Sequence, residues 1–137
     1  MLAVVAAIVR RRGPEGGEQL LICQRARHRS HPLQWEFPGG KLEPGESEPQ
    51  ALARELFEEL GIRAEAGRLR ARVRHQYAGG AEVEVAFYEL AAFTGEPENR
   101  DFAALAWVAP SALGSYDFLA ADLAVLQTLA ADSPAGC

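Results

Sequence analysis

The stretch Gly40–Ile62, GKLEPGESEPQALARELFEELGI, decides how this 137-residue chain folds. Ser47 followed three residues on by Gln50 makes a capping box, which predicts a helix start there, with Pro49 tolerated in the first turn. Gly61 suits the left-handed residue that ends a helix. Between these signals Leu52, Leu56 and Leu60 recur every fourth residue and lay one apolar stripe toward a core. Glu55, Glu58 and Glu59 stand three and four apart and share a neighbouring face, an arrangement that costs stability through like-charge repulsion. A divalent cation with oxygen ligands reverses that sign, and Mg²⁺ or Mn²⁺ is the natural candidate. The plain alternative for these glutamates alone is a solvated acidic face.

The stretch fits the pattern G-x5-E-x7-R-E-U-x-E-E-x-G-U, with U aliphatic, at Gly40, Glu46, Arg54, Glu55, Leu56, Glu58, Glu59, Gly61 and Ile62. At average residue frequencies a random window matches roughly a few times in ten billion. The segment resembles the Nudix box, the signature of Mg²⁺-dependent hydrolases of nucleoside diphosphates linked to another moiety. Its upstream lead, Trp35-Glu36-Phe37-Pro38-Gly39-Gly40-Lys41, is similar to the MutT branch of that family.

Composition sets the outer limits. One domain spanning residues 1–137 is expected, with a single core. A hydrophobic share of 48% and a charged share of 24% are those of a soluble globule. No apolar run approaches the ~20 residues of a membrane span. Cys23 and Cys137 lack metal spacing, so a reduced, cytoplasmic protein is expected. The net charge of −5 argues against gripping a nucleic-acid polymer, which favours a basic surface.

Along the chain, Ala3–Val9 and Gln19–Gln24 read as strands able to pair as a hairpin around Gly13–Gly17. Residues 25–34 read as a loop carrying His28 and His31. Arginines 68, 70, 72 and 74 alternate with apolar residues, and Glu82–Phe87 alternates again. An odd-numbered turn centred on Gly79 places Glu84 opposite Arg74 and Val85 opposite Val73. Phe93–Asp101 reads as a polar loop, Leu105–Val108 as a strand, and residues 121–131 as an amphipathic helix with Leu123, Leu126 and Leu129 inward. The tail 133–137 is expected to fray.

Strands alternating with helices and hairpins give an α/β layered domain. The resemblance implies an α/β/α sandwich with a mixed β-sheet and a loop-helix-loop catalytic motif. It implies that Glu55, Glu58 and Glu59 hold the metal with the Gly40 carbonyl, that Glu55 is ligand or base, and that Arg54 orients the cluster by pairing with Glu46. A further acid is implied on the loop before a late strand, at Asp101 or alternatively Glu98. Arg25 matches a nucleotide-contacting arginine, Phe37 or Trp35 could stack on a base, and Asp122 stands where a base-reading residue is found. Read plainly, Asp122 caps the last helix. The implied activity is Mg²⁺-dependent hydrolysis of a modified or oxidised nucleoside triphosphate to the monophosphate and pyrophosphate, sanitising the nucleotide pool. Hydrolysis of ADP-ribose or a nucleotide sugar, or a non-catalytic binding module, are the alternatives. A monomer or weak homodimer with a small nucleotide as partner, and no membrane, is expected.

Overall fold

The capping box forms as written. In the computed structural model, which describes residues 1–131, helix α1 spans Glu48–Leu60 with Ser47 as its N-cap. The Ser47 Oγ accepts from the Gln50 N–H (3.2 Å), and the Gln50 side chain accepts from the Ser47 N–H (2.9 Å). Gly61 ends the helix at φ +70°, a conformation that glycine adopts without steric cost. Leu52, Leu56 and Leu60 are fully buried, each contributing about 1.5–3 kcal/mol of apolar burial.

The described residues divide into two compact units. The first unit comprises Met1–Ile8 and Pro38–Arg100. It holds α1 and a four-stranded mixed sheet in the order β5 (Gly39–Lys41), β1 (Leu2–Ile8), β7 (Glu82–Thr94), β6 (Arg63–Gln76). β1 runs parallel to β7, from Leu2 opposite Val83 to Ile8 opposite Glu89, and antiparallel to β5. The β6–β7 hairpin has the odd turn, with Arg74 opposite Glu84 and Val73 opposite Val85. Three arginines of its row are paired: Arg70 with Glu89, Arg72 with Glu48, and Arg74 with Glu84. From Arg70 to Arg74 the row is therefore a charge-balanced strand face. β7 continues to Thr94, so the polar loop starts at Gly95 rather than Phe93.

The second unit comprises residues 9–37 and the chain from Asp101 onward. β3 (Glu18–Gln24) is its central strand, pairing with β2 (Arg10–Arg12), β4 (Trp35–Glu36) and β8 (Ala104–Val108), all antiparallel. A 3-10 turn at Pro110–Ser115 and helix α2 (Ala120–Ala131) complete it. The expected tail at 133–137 lies outside the described residues.

Two expectations are corrected here. The first strand does not form a hairpin with Gln19–Gln24; β2 takes that place, with Arg10 opposite Leu20. The unbroken buried run Val5–Val9 suits a strand with neighbours on both edges, and β1 finds them in β5 and β7. In α2, Leu123 faces outward at 53% exposure, while Ala121, Asp122, Val125 and Leu129 are buried. The helix is alanine and leucine almost all round, so its sequence carries little contrast to fix the inward face. Among the described residues no helix is long and apolar enough to cross a membrane.

Candidate active site

In the first unit, one arginine organises the carboxylates of α1. Arg54 grips Glu46 in a two-pronged fork, with Nε 2.6 Å from Oε2 and Nη2 2.9 Å from Oε1. Its Nη1 donates to Glu55 Oε1 (2.9 Å) and Glu58 Oε1 (3.1 Å), and its Nη2 donates to the Lys41 carbonyl (3.0 Å). Bidentate, charge-assisted bonds of this kind fix geometry as well as charge. The fork holds Glu46 well below the usual carboxylate range, at about 2, helped by the Glu43 N–H. Burial instead pushes Glu55 up, against the pull of Arg54 and with the Glu58 charge adding to the rise. Arg54 is raised beyond its ordinary value, first by Glu46.

Whether these residues suit a divalent cation can be judged from Gly40. Any Cβ at that position would collide with the Glu55 carboxylate, so the absent side chain leaves the space in which Glu55 lies. The donors are all oxygens: Glu55, Glu58, Glu59 with its buried Oε1, and the Gly40 carbonyl. That set fits a hard cation such as Mg²⁺. Among the described residues no three His, Cys, Asp or Glu side chains are grouped so as to hold a metal ion as they stand. Arg54 occupies an oxygen of Glu55 and of Glu58, and a cation would share those carboxylates with it.

The two candidate loop acids part company. Glu98 belongs to the first unit, where its backbone N–H donates to the carbonyl of Leu60, the last residue of α1 (2.8 Å). Asp101 belongs to the second unit, where its carboxylate is paired with Arg29. His28 and His31 are exposed on the same loop as Arg29.

In the second unit, β4 positions a buried acid. The Trp35 N–H donates to the Asp117 carbonyl, and the Leu119 N–H donates to the Trp35 carbonyl, which clamps the start of α2 against β4. Asp122, 5% exposed, then accepts the Phe37 N–H on Oδ2 at 2.9 Å. It lies inside α2 and spends its side chain on Phe37, so the capping interpretation fails. Burial pushes Asp122 up to about 8; the Phe37 N–H opposes the shift and the Glu36 charge adds to it. Arg25 bonds Glu36 (3.1 Å) and the Ser30 carbonyl (2.8 Å). Burial raises Glu36 despite Arg25. Phe37 stacks on Phe118 with ring centroids 5.5 Å apart, and Trp35 meets Tyr116 edge-on at 5.0 Å. Phe37 is buried, so its backbone is engaged more than its ring face. Arg25, Phe37 and Asp122 are thus brought together, and Glu36 joins them. The sequence reading missed Glu36, because its alternation between two aromatics looks like an ordinary strand edge.

Known proteins resemble this chain along nearly its whole length. A family model described as NUDIX domain matches residues 1–129. The chain is 36% identical to the CTP pyrophosphohydrolase of Escherichia coli K12, over 96% of this chain and 93% of that one. It is 37% identical to the putative 8-oxo-dGTP diphosphatase 2 of Mycobacterium tuberculosis H37Rv, over 94% and 87%. Among solved structures, the E. coli ORF135 protein superposes with a TM-score of 0.81 at 36% identity, covering 96% of this chain and 89% of that one. The MutT Nudix hydrolase of Burkholderia pseudomallei gives 0.80 at 29% identity, covering 92% and 95%. The chain belongs to the Nudix family and is a hydrolase of phosphorus-containing anhydrides, with a mixed α/β fold.

Proposed function

We propose that this hydrolase cleaves a nucleoside triphosphate, modified or oxidised, to the monophosphate and pyrophosphate. The observation that carries the reading is the trio of box carboxylates Glu46, Glu55 and Glu58 held on one arginine, with Glu55 against Gly40, together with relatives named as a CTP pyrophosphohydrolase and a putative 8-oxo-dGTP diphosphatase. Glu55, Glu58, Glu59 and the Gly40 carbonyl would hold Mg²⁺, with Mn²⁺ as a substitute. When bound, the metal neutralises phosphate charge and lowers the pKa of its water.

The chain's own groups do the rest. Arg54 keeps Glu55 and Glu58 turned to the same side of the helix. Glu55, raised by burial, accepts a proton more readily than an ordinary carboxylate, as a base for water must. Glu98 supplies the further loop acid in preference to Asp101, because its backbone is anchored to the end of α1, the helix that carries the box carboxylates; each acid's carboxylate is paired with an arginine, Glu98 with Arg100 and Asp101 with Arg29. In the second unit Asp122 reads the base, and Arg25 and Phe37 support it. With its pKa near 8, Asp122 is protonated at neutral pH and offers both a donor and an acceptor to a base edge. The reading carries with it one functional domain, monomeric or weakly dimeric, working in the cytoplasm on small nucleotides.

The test is a turnover screen of CTP, dGTP, 8-oxo-dGTP and ADP-ribose with Mg²⁺, with products identified. Pyrophosphate from at least one triphosphate is expected. Orthophosphate alone, or ADP-ribose turned over faster than every triphosphate, would overturn the substrate assignment.

A further inference from the structure

The loop after β7 returns to the end of α1 and is fastened there by one arginine. Arg100 Nη1 donates to the Phe57 carbonyl (3.1 Å), the same oxygen that accepts the Gly61 N–H closing the last turn of the helix (3.0 Å). The same guanidinium lies 5.9 Å from the centroid of the exposed Phe57 ring. It also holds Glu98 Oε1, from Nε at 3.2 Å and from Nη2 at 3.1 Å. Gly61 makes the room, since a Cβ there would stand 2.6 Å from Arg100 Nη2. Gly61 is thus needed for two reasons, its left-handed φ and the seat it leaves open. The last turn of α1 has no basic residue of its own, and a cation there is favoured by the helix dipole. Arg100 brings that cation from the loop. An exposed Arg–Glu pair alone holds little; here one guanidinium serves a carbonyl, a ring and a carboxylate at once.

We infer that Arg100 is a positioning residue that latches the loop 95–100 to the end of the box helix and fixes the direction of the Glu98 carboxylate. The inference rests on the reading of Glu98 as the loop acid. Its role is geometric: the latch removes rotamer freedom from an exposed glutamate that must reach the reacting centre.

The experiment measures pyrophosphate release from 8-oxo-dGTP and CTP with Mg²⁺, and the rise in Tm on adding Mg²⁺, for Glu98→Gln, Asp101→Asn, Arg100→Ala, Arg100→Lys and the Glu98→Gln/Arg100→Ala double variant. Glu98→Gln should lose about 100-fold in kcat. Arg100→Ala should lose about tenfold in kcat with KM nearly unchanged, and Arg100→Lys should recover part of it. In the double variant the Arg100 change should add nothing, and the Mg²⁺-induced rise in Tm should shrink in Glu98→Gln and in Arg100→Ala. An equal Arg100 cost with or without Glu98 would mark a merely structural residue and overturn the latch. A raised KM at unchanged kcat would make Arg100 a substrate contact and overturn it equally. Glu98→Gln at full activity, with Asp101→Asn inactive, would overturn the choice of loop acid. Glu98→Gln slow with Arg100→Ala unaffected would overturn only the latch.

Discussion

Glu46 and Asp122 are both carboxylates held by hydrogen bonds, yet the two units treat them in opposite ways. The first unit surrounds its acid with a guanidinium fork and a backbone N–H, and Glu46 stays ionised down to about pH 2. The second unit buries its acid with one backbone N–H and the Arg25–Glu36 pair nearby, and Asp122 holds its proton up to about pH 8. The difference is one of solvation and partner charge, not of residue type.

The sharpest way to break this contrast is at the helix face. Glu58→Gln or Glu59→Gln should lower kcat on the order of 10³-fold if these carboxylates hold the metal. The fold should keep its Tm or gain a little, because like-charge repulsion is relieved. Near-normal turnover with Mg²⁺ affinity intact would end the assignment of either residue.

Asp122 gives the next largest effect. Asp122→Ala should cost about 1–3 kcal/mol in kcat/KM, unequally across bases. A loss shared equally by CTP and 8-oxo-dGTP would leave Asp122 with a structural role alone. Its pH signature has a definite sign. Because the folded pKa lies above the ordinary value of 3.8, the stability tied to this proton is complete below pH ~4 and falls away as pH rises toward 8. Asp122→Asn keeps an acceptor for the Phe37 N–H and carries no charge, so Tm should vary less with pH between 4 and 8. An unchanged Tm profile would show that burial is not what governs this group.

Glu46 tests the opposite sign at smaller amplitude. Its folded pKa is depressed from 4.5, so its stability is present above pH ~4.5 and lost as pH falls toward 2. Glu46→Gln should flatten the acid limb of the Tm curve without altering the region above pH 6. The smallest effect belongs to the hairpin surface. Arg74→Gln should change stability by no more than about 0.5 kcal/mol despite breaking an ion pair with Glu84. A larger loss would mean that the arginine row does more than balance charge.

What the sequence made legible was local. Ser47, Gln50 and Gly61 carry their helix ends in side-chain chemistry that needs no distant partner. The parity argument for Gly79 held because a one-residue slip would set arginines against valines. The Glu46–Arg54 pair was also readable, because both residues lie within one short segment. The parallel pairing of β1 with β7 was not, since its strands are about eighty residues apart and nothing in either names the other. The Asp122–Phe37 bond spans 85 residues and is made to a backbone N–H, which leaves no trace in side-chain pattern. Leu123 misled for a related reason: in a helix of alanine and leucine, inward and outward faces are chosen by what packs against it.

The discontinuity of both units bears on how the chain is made. Each unit closes only when segments far apart in the chain have both emerged: Met1–Ile8 with Pro38–Arg100, and Val9–Phe37 with the chain after Asp101. β1 is synthesised well before Glu82–Thr94, and it waits for that segment before its parallel partner exists. At roughly 5–20 residues per second, that interval is about 4–16 s. During it Val5, Ala6, Ala7 and Ile8, buried in the finished protein, lack the strand that covers one edge. A ribosome stalled before Glu82 would therefore display β1 as a sticky strand, and this stretch is where a chaperone would find a handhold.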